Sequence, residues 1–122
     1  PVLTFDVSLP IADMQRYTDA LEAQLTQRWA EARLVVFGHL GDGNLHISVS
    51  VGSAEVEVRR EVEAMVYQPL AALGGSVSAE HGIGLEKRPW LSTCRSSAEI
   101  ALMQSLKQAL DPLNLLNPGK VL

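Results

Sequence analysis

Two histidines, His39 and His46, flank a Gly41-Asp42-Gly43 turn, and a glutamate, Glu80, stands just before a Gly82-Ile83-Gly84 corner. Two imidazoles and one carboxylate are an ordinary ligand set for an open divalent-ion site, with zinc favoured by nitrogen ligands and manganese or iron compatible. Positions left open on such an ion are where a substrate would bind. Taken singly, each feature has a plainer reading. A lone histidine on a strand is usually a surface or hydrogen-bonded residue, and Gly-Asp-Gly is usually only a turn. Gly82-Ile83-Gly84 lacks the spacing and the strand-to-helix context of a dinucleotide fingerprint. The chemistry therefore depends on whether the fold brings the three side chains together.

The elements that must do so can be read from periodicity. Val2 to Ser8 alternates Leu3, Phe5 and Val7 against Thr4, Asp6 and Ser8, which predicts a strand with one buried face. After Pro10, the spacing of Ile11, Met14, Tyr17, Leu21, Leu25 and Trp29 predicts an amphipathic helix to about Ala30, with that stripe, Trp29 included, in the core. Leu34 to His39 and Asn44 to Val51 read as two strands of a hairpin around Leu40-Gly41-Asp42-Gly43. A second helix is expected from about Ala54 into the seventies, kinked or divided by Pro69 and ended by Gly74-Gly75. Ser76 to Glu80 alternates again and predicts a fourth strand. Ser96-Ser97-Ala98-Glu99 has the form of a capping box, opening a helix that carries Ile100, Met103, Leu106 and Leu110 and stops before Pro112. This order predicts an α+β fold of the ferredoxin-like, split βαβ kind: an antiparallel sheet with both main helices on one face, plus a C-terminal helix.

Strand side chains alternate faces, so the aliphatic set Leu45, Ile47, Val49 and Val51 must meet the helices and His46 must lie on the other side. For a hairpin with an even number of loop residues, odd positions of its first strand share a face with even positions of its second. His39 then joins His46, with Cβ atoms about 5–8 Å apart as direct or diagonal neighbours. Glu80, opposed to Val77 and Ala79, falls on that face with Asp6, Ser76 and Ser78.

Bulk properties narrow the alternatives. A chain of 122 residues with 47% hydrophobic content fills one core. The formal charge is −4 and the ten Lys and Arg are scattered, so no basic stripe suits a phosphate backbone and nucleic acid is excluded as a partner. Cys94 is the single cysteine, which rules out an internal disulfide and fits a reducing compartment; the cytoplasm is the expected location. No window approaches the roughly 18–20 apolar residues of a membrane span. The first residue is Pro1 and a strand begins almost at once, so a fragment with residues missing upstream is expected.

Three motifs in order, Phe37-Gly38-His39-Leu40-Gly41-Asp42-Gly43-Asn44-Leu45-His46, then Gly74-Gly75-Ser76 with Glu80-His81-Gly82-Ile83-Gly84, then Asp111-Pro112 with Asn117-Pro118-Gly119-Lys120-Val121, resemble the C-terminal domain of the FAD-linked oxidases. That family includes D-lactate dehydrogenases, the glycolate oxidase flavoprotein subunit and D-2-hydroxyglutarate dehydrogenases. The resemblance implies an FAD-dependent dehydrogenase that oxidises a small D-2-hydroxy acid, with residues 1–122 as its substrate and metal-binding domain and the FAD-binding domain upstream. It implies His39, His46 and Glu80 as divalent-metal ligands, His81 as the base that removes the hydroxyl proton, Asn44 as a substrate contact and Asn117 as a residue approaching the flavin. An imidazole suits the base because it is largely neutral near pH 7.

Two departures from the family pattern bear on this. Many relatives carry Lys two positions before the Asp of the first strand, where this chain has Thr4, and the flavin-binding part is not in the sequence. The fragment alone is expected to be inactive. In the intact enzyme, peripheral attachment at the inner membrane and a homo-oligomer are both compatible with the sequence. A free-standing ferredoxin-like metal-binding or regulatory module is the alternative function, and an oligomerising domain with a buried His-rich face is a third reading.

Overall fold

Residues 1–122 are described by a computed structural model. Three strands form one antiparallel sheet in the order β1-β3-β2, where β1 is Leu3–Ser8, β2 is Arg33–Phe37 and β3 is Asn44–Ser50. The central strand pairs Asp6 with His46 on one side and Phe37 with His46 on the other. That register sets the two faces. Phe5, Val7, Leu45, Ile47 and Val49 are buried toward the helices, while Thr4, Asp6, Phe37, His46 and Ser48 lie on the opposite face.

Two long helices cover the apolar face. Helix α1, Met14–Arg28, follows a 3-10 turn at Ile11–Asp13 and buries Met14, Tyr17, Leu21 and Leu25. Helix α2, Val56–Leu73, buries Val62, Val66, Tyr67 and Leu70. The Tyr17 hydroxyl donates to the Val66 carbonyl at 2.8 Å, and Arg28 pairs with Glu61 at 2.9 Å, so two polar contacts also join these helices. These side chains and the inward strand residues form one core cluster. The stripe is narrower than its spacing suggests at both ends of α1: Ile11 is exposed, and Trp29 is only partly buried against the core. Beyond the sheet lie a short helix α3, Leu91–Cys94, and helix α4, Ser97–Leu110. Ser96 and Glu99 make the reciprocal capping box expected of them.

The α+β, split βαβ arrangement is the one the periodicity predicts, with three corrections of detail. Helix α2 runs unbroken through Pro69. Strand β2 ends at Phe37, so His39 leaves the ladder and the connection contains a 3-10 turn, Leu40–Asp42. Ser76 to Glu80 is not a fourth strand: a single bridge joins Ser76 to Ser8, after which the chain turns away. Its next amides have found a different acceptor, the carboxylate of Asp6.

Where β2 leaves the sheet the two chains of the hairpin are pinched together. A Cβ at Gly38, whose φ is 151°, would stand 2.3 Å from the Asn44 carbonyl oxygen, and backbone cannot swing aside as a side chain can. Gly38→Ala should lower stability by on the order of 2 kcal/mol or more, read as a shift in urea midpoint. An unchanged midpoint would mean that the pinch is not a constraint.

Candidate active site

The polar face of the sheet is organised around one buried carboxylate. Asp6 is 1% exposed and faces away from the apolar core. After helix α2 ends at Gly74 in the left-handed conformation, Ser8 and Ser76 exchange backbone hydrogen bonds at 3.0 and 2.8 Å, which delivers the following loop to Asp6. Asp6 Oδ2 accepts from the backbone N–H of Ala79 at 3.0 Å, of Glu80 at 3.0 Å and of His81 at 2.8 Å, and from the Ser78 hydroxyl at 3.0 Å. Lys87 reaches in from the far side of the loop, donating from Nζ to the Asp6 carbonyl at 3.1 Å and to Ser78 Oγ at 3.1 Å.

The electrostatics follow from these contacts. Burial alone would raise the Asp6 carboxyl, but the amides of His81 and Glu80, the Ser78 hydroxyl and the Lys87 charge outweigh it and lower the group from 3.8 to about 2. Burial is also the largest influence on Lys87 and holds it below the ordinary lysine range, against the pull of Asp6. Asp6 therefore remains charged at neutral pH.

With the loop fixed, Glu80 projects over His46. Asn44, itself 5% exposed, donates from Nδ2 to Glu80 Oε2 at 3.1 Å, and its Oδ1 is enclosed without a partner. Glu80 Oε1 lies 3.4 Å from His46 Nε2 and 3.7 Å from His81 Nε2, and Oε2 lies 3.9 Å from His39 Nδ1. The His81 ring stacks on His46 with centroids 5.4 Å apart, and His39 meets His46 edge-on at 6.1 Å. The three imidazole–carboxylate separations exceed those of direct hydrogen bonds, about 2.7–3.2 Å, and suit side chains arranged around a common guest.

The structure thus gathers His39, His46, Glu80 and His81, and sets Asn44 behind Glu80. One ligand atom each from Asp6, His46, Glu80 and His81 fall within 4.8 Å of one another, so the tightest quartet omits His39 and includes Asp6. Asp6 Oδ2 is already saturated by three amides and a hydroxyl, which makes that oxygen a poor ligand. His39, 65% exposed at its side chain, lies at the outer side of Glu80. Beside the cluster opens a cavity of about 600 Å³, bordered by Thr4, Asp6, Phe37, His46, His81 and Lys87 among others. Asn117 is not in this cavity. It sits in the C-terminal tail at a φ of 48°, in a tail held against the same loop by Val121 N–H donating to the Gly84 carbonyl at 2.8 Å and by Arg88 donating to the Gly119 carbonyl at 3.2 Å.

Sequence reasoning placed Asp6 on the right face but gave it no task, and it passed over Lys87. The only signal for Asp6 was an acidic residue within a strand otherwise rich in apolar and hydroxyl side chains. Nothing local marked Lys87, whose partners are 81 and 9 residues away.

Residues 1–121 match the family model described as FAD linked oxidases, C-terminal domain, and the chain belongs to that family. It is 44% identical over 95% of its length to a D-2-hydroxyglutarate dehydrogenase of Xanthomonas citri pv. viticola, covering 26% of that protein. It is 40% identical over 99% of its length to a mitochondrial D-2-hydroxyglutarate dehydrogenase of Rattus norvegicus, covering 22%, and 38% identical over 97% to that of Danio rerio, covering 22%. The chain therefore spans about a quarter of the length of the curated relatives it matches. No helix is long and apolar enough to cross a membrane.

A pH dependence follows from the Asp6 shift. Because the folded value lies below the ordinary 3.8, the carboxylate adds stability above about pH 4 and loses it as pH falls toward about 2. Asp6→Asn should be less stable than the wild type at pH 7, and the gap between their urea midpoints should narrow between about pH 4 and pH 2. A gap that stays constant through this window would assign the effect to shape and not to charge.

Proposed function

We propose that this chain is the substrate-side domain of an FAD-dependent dehydrogenase that oxidises a D-2-hydroxy acid to the 2-oxo acid. Family membership supports a flavoprotein, and the names of the relatives make D-2-hydroxyglutarate the first acid to test. The observation that carries the reading is the convergence of three imidazoles on one carboxylate, at separations too long for mutual hydrogen bonds, beside an open cavity.

Flavin would be held mainly by the part of the protein outside this chain, and when bound it accepts the hydride that leaves the substrate α-carbon. Asn117, in the tail packed beside Gly84, is the residue of this chain assigned to approach it. His39, His46 and Glu80 have the donor types and spacing to hold a divalent cation, zinc first, then manganese or iron. The bound cation would lower the pKa of the substrate hydroxyl and orient the acid. Local charge agrees: the carboxylates of Asp6 and Glu80 carry two negative charges against the single positive charge of Lys87.

His81 is the proton acceptor. It lies between two carboxylates, its Nδ1 4.0 Å from Asp6 Oδ2 and its Nε2 3.7 Å from Glu80 Oε1, and both would stabilise the imidazolium formed when the ring takes up a proton. The hydroxyl proton passes to His81 Nε2 as the carbonyl forms and the α-hydrogen departs. Asn44 holds Glu80 through Nδ2 while its Oδ1 is enclosed, so its part in substrate binding would run through the placement of Glu80. With Thr4 in the cavity wall, the carboxylate of the substrate is met by hydroxyls and by the cation, and any second acidic group must find its partner elsewhere in the protein.

The test is flavin reduction by a panel of D-2-hydroxy acids in the protein that carries both halves. At least one acid should reduce the flavin, and His81→Ala should slow that reduction by about 100-fold or more. Full-rate reduction by the variant would remove His81 from the mechanism. Elemental analysis should find one divalent metal per chain, with occupancy lost in His46→Ala; a variant that retains full metal would break the proposed ligand set.

A further inference from the structure

We infer that Asp6 is the positioning residue of this site, setting the backbone of the Glu80-His81 segment. It touches neither substrate nor flavin in this assignment. The two oxygens of its carboxylate do different things. Oδ2 is consumed by the amides of Ala79, Glu80 and His81 and by the Ser78 hydroxyl, four donors from one tight turn. Oδ1 accepts only a long contact from the Glu80 amide, at 3.3 Å, and otherwise faces His46 Nδ1 at 3.8 Å.

The loop would not otherwise stay where it is. Past the Ser8 bridge it has no strand partner, and the three amides that would have extended a ladder converge on a point instead. A carboxylate is the side chain that can accept that many amides at once, since it offers two oxygens and no hydrogen. An asparagine in its place presents an N–H₂ to at least one of these amides. The residues so fixed are Glu80 and His81, whose side chains supply the central acid and the base of the proposed reaction.

The other oxygen faces His46 without bonding to it: His46 Nδ1 is 3.8 Å from Asp6 Oδ1 and Nε2 is 3.4 Å from Glu80 Oε1, so the role of Asp6 toward the cluster runs through the loop it holds. Loss of the groups that orient metal ligands typically costs 10–100-fold in metal affinity. Lys87 balances the buried charge from the other side, its side chain 13% exposed and its Nζ 3.5 Å from Oδ2.

This inference rests on the reading of His46 and Glu80 as parts of a metal and substrate site, yet its core can be tested without metal. In chelator-stripped intact protein near pH 8, the amides of Ala79, Glu80 and His81 should be protected from exchange. Unprotected amides overturn the assignment even if no variant folds. In Asp6→Asn, exchange at those amides should rise at least about 10-fold while β3 amides keep their protection. Zinc affinity, measured by competition with a chromophoric chelator, should fall about 10–100-fold. Ser78→Ala, which removes one donor and leaves the carboxylate, should keep most of that protection. Wild-type protein that shows the protection but binds no zinc would refute the metal reading and leave the positioning role standing; Asp6→Asn that binds zinc as the wild type does would refute the positioning role.

Discussion

A carboxylate buried on the polar side of a three-stranded sheet is the constraint from which the rest of this site follows. Burying Asp6 without partners would be unfavourable by several kcal/mol, and its ion pair with Lys87 alone would not offset that. Three consecutive amides and a serine hydroxyl supply what is missing, and they come from a segment that then has no freedom to form a strand. The same contacts that stabilise the charge fix the turn, and the turn aims Glu80 and His81.

The scaffold behind this turn is built for rigidity. β3 is the central strand, paired on both sides, and its inward residues Leu45, Ile47 and Val49 are almost wholly buried. His46 stands between two of them on the other face, so its position is set by the best-packed strand in the molecule. His39 is different in kind. It lies past the end of β2, mostly exposed, and is tied down by its carbonyl accepting the Asn44 amide at 3.2 Å. The site thus combines one immobile imidazole, one loop-borne acid and base, and one exposed imidazole, an arrangement suited to enclosing a guest as it binds.

Several features on the periphery point away from the site. Leu102, Leu106 and Leu110 on α4 and Leu113, Leu115 and Leu116 beyond it are exposed, which separates the apolar content of the chain from its buried core. The spacing of Ile100, Met103, Leu106 and Leu110 gave α4 correctly, but spacing reports an apolar face and not whether this chain covers it.

Periodicity in the sequence was sufficient for the three strands, the two long helices and the capped C-terminal helix, because each has a repeating contrast between apolar and polar residues that only one period satisfies. Strand alternation was enough to place His46 on the face away from the helices, since one face must be buried; His39 lies past the end of β2, where that alternation no longer applies. The sequence could not reveal that Ser76 to Glu80, which alternates as a strand should, would give its amides to a side chain instead of a neighbouring strand. It could not show that Lys87 would enter the same cluster. Both outcomes depend on groups more than 70 residues apart meeting at Asp6, and such meetings are decided by the competition among all available acceptors once the core has closed.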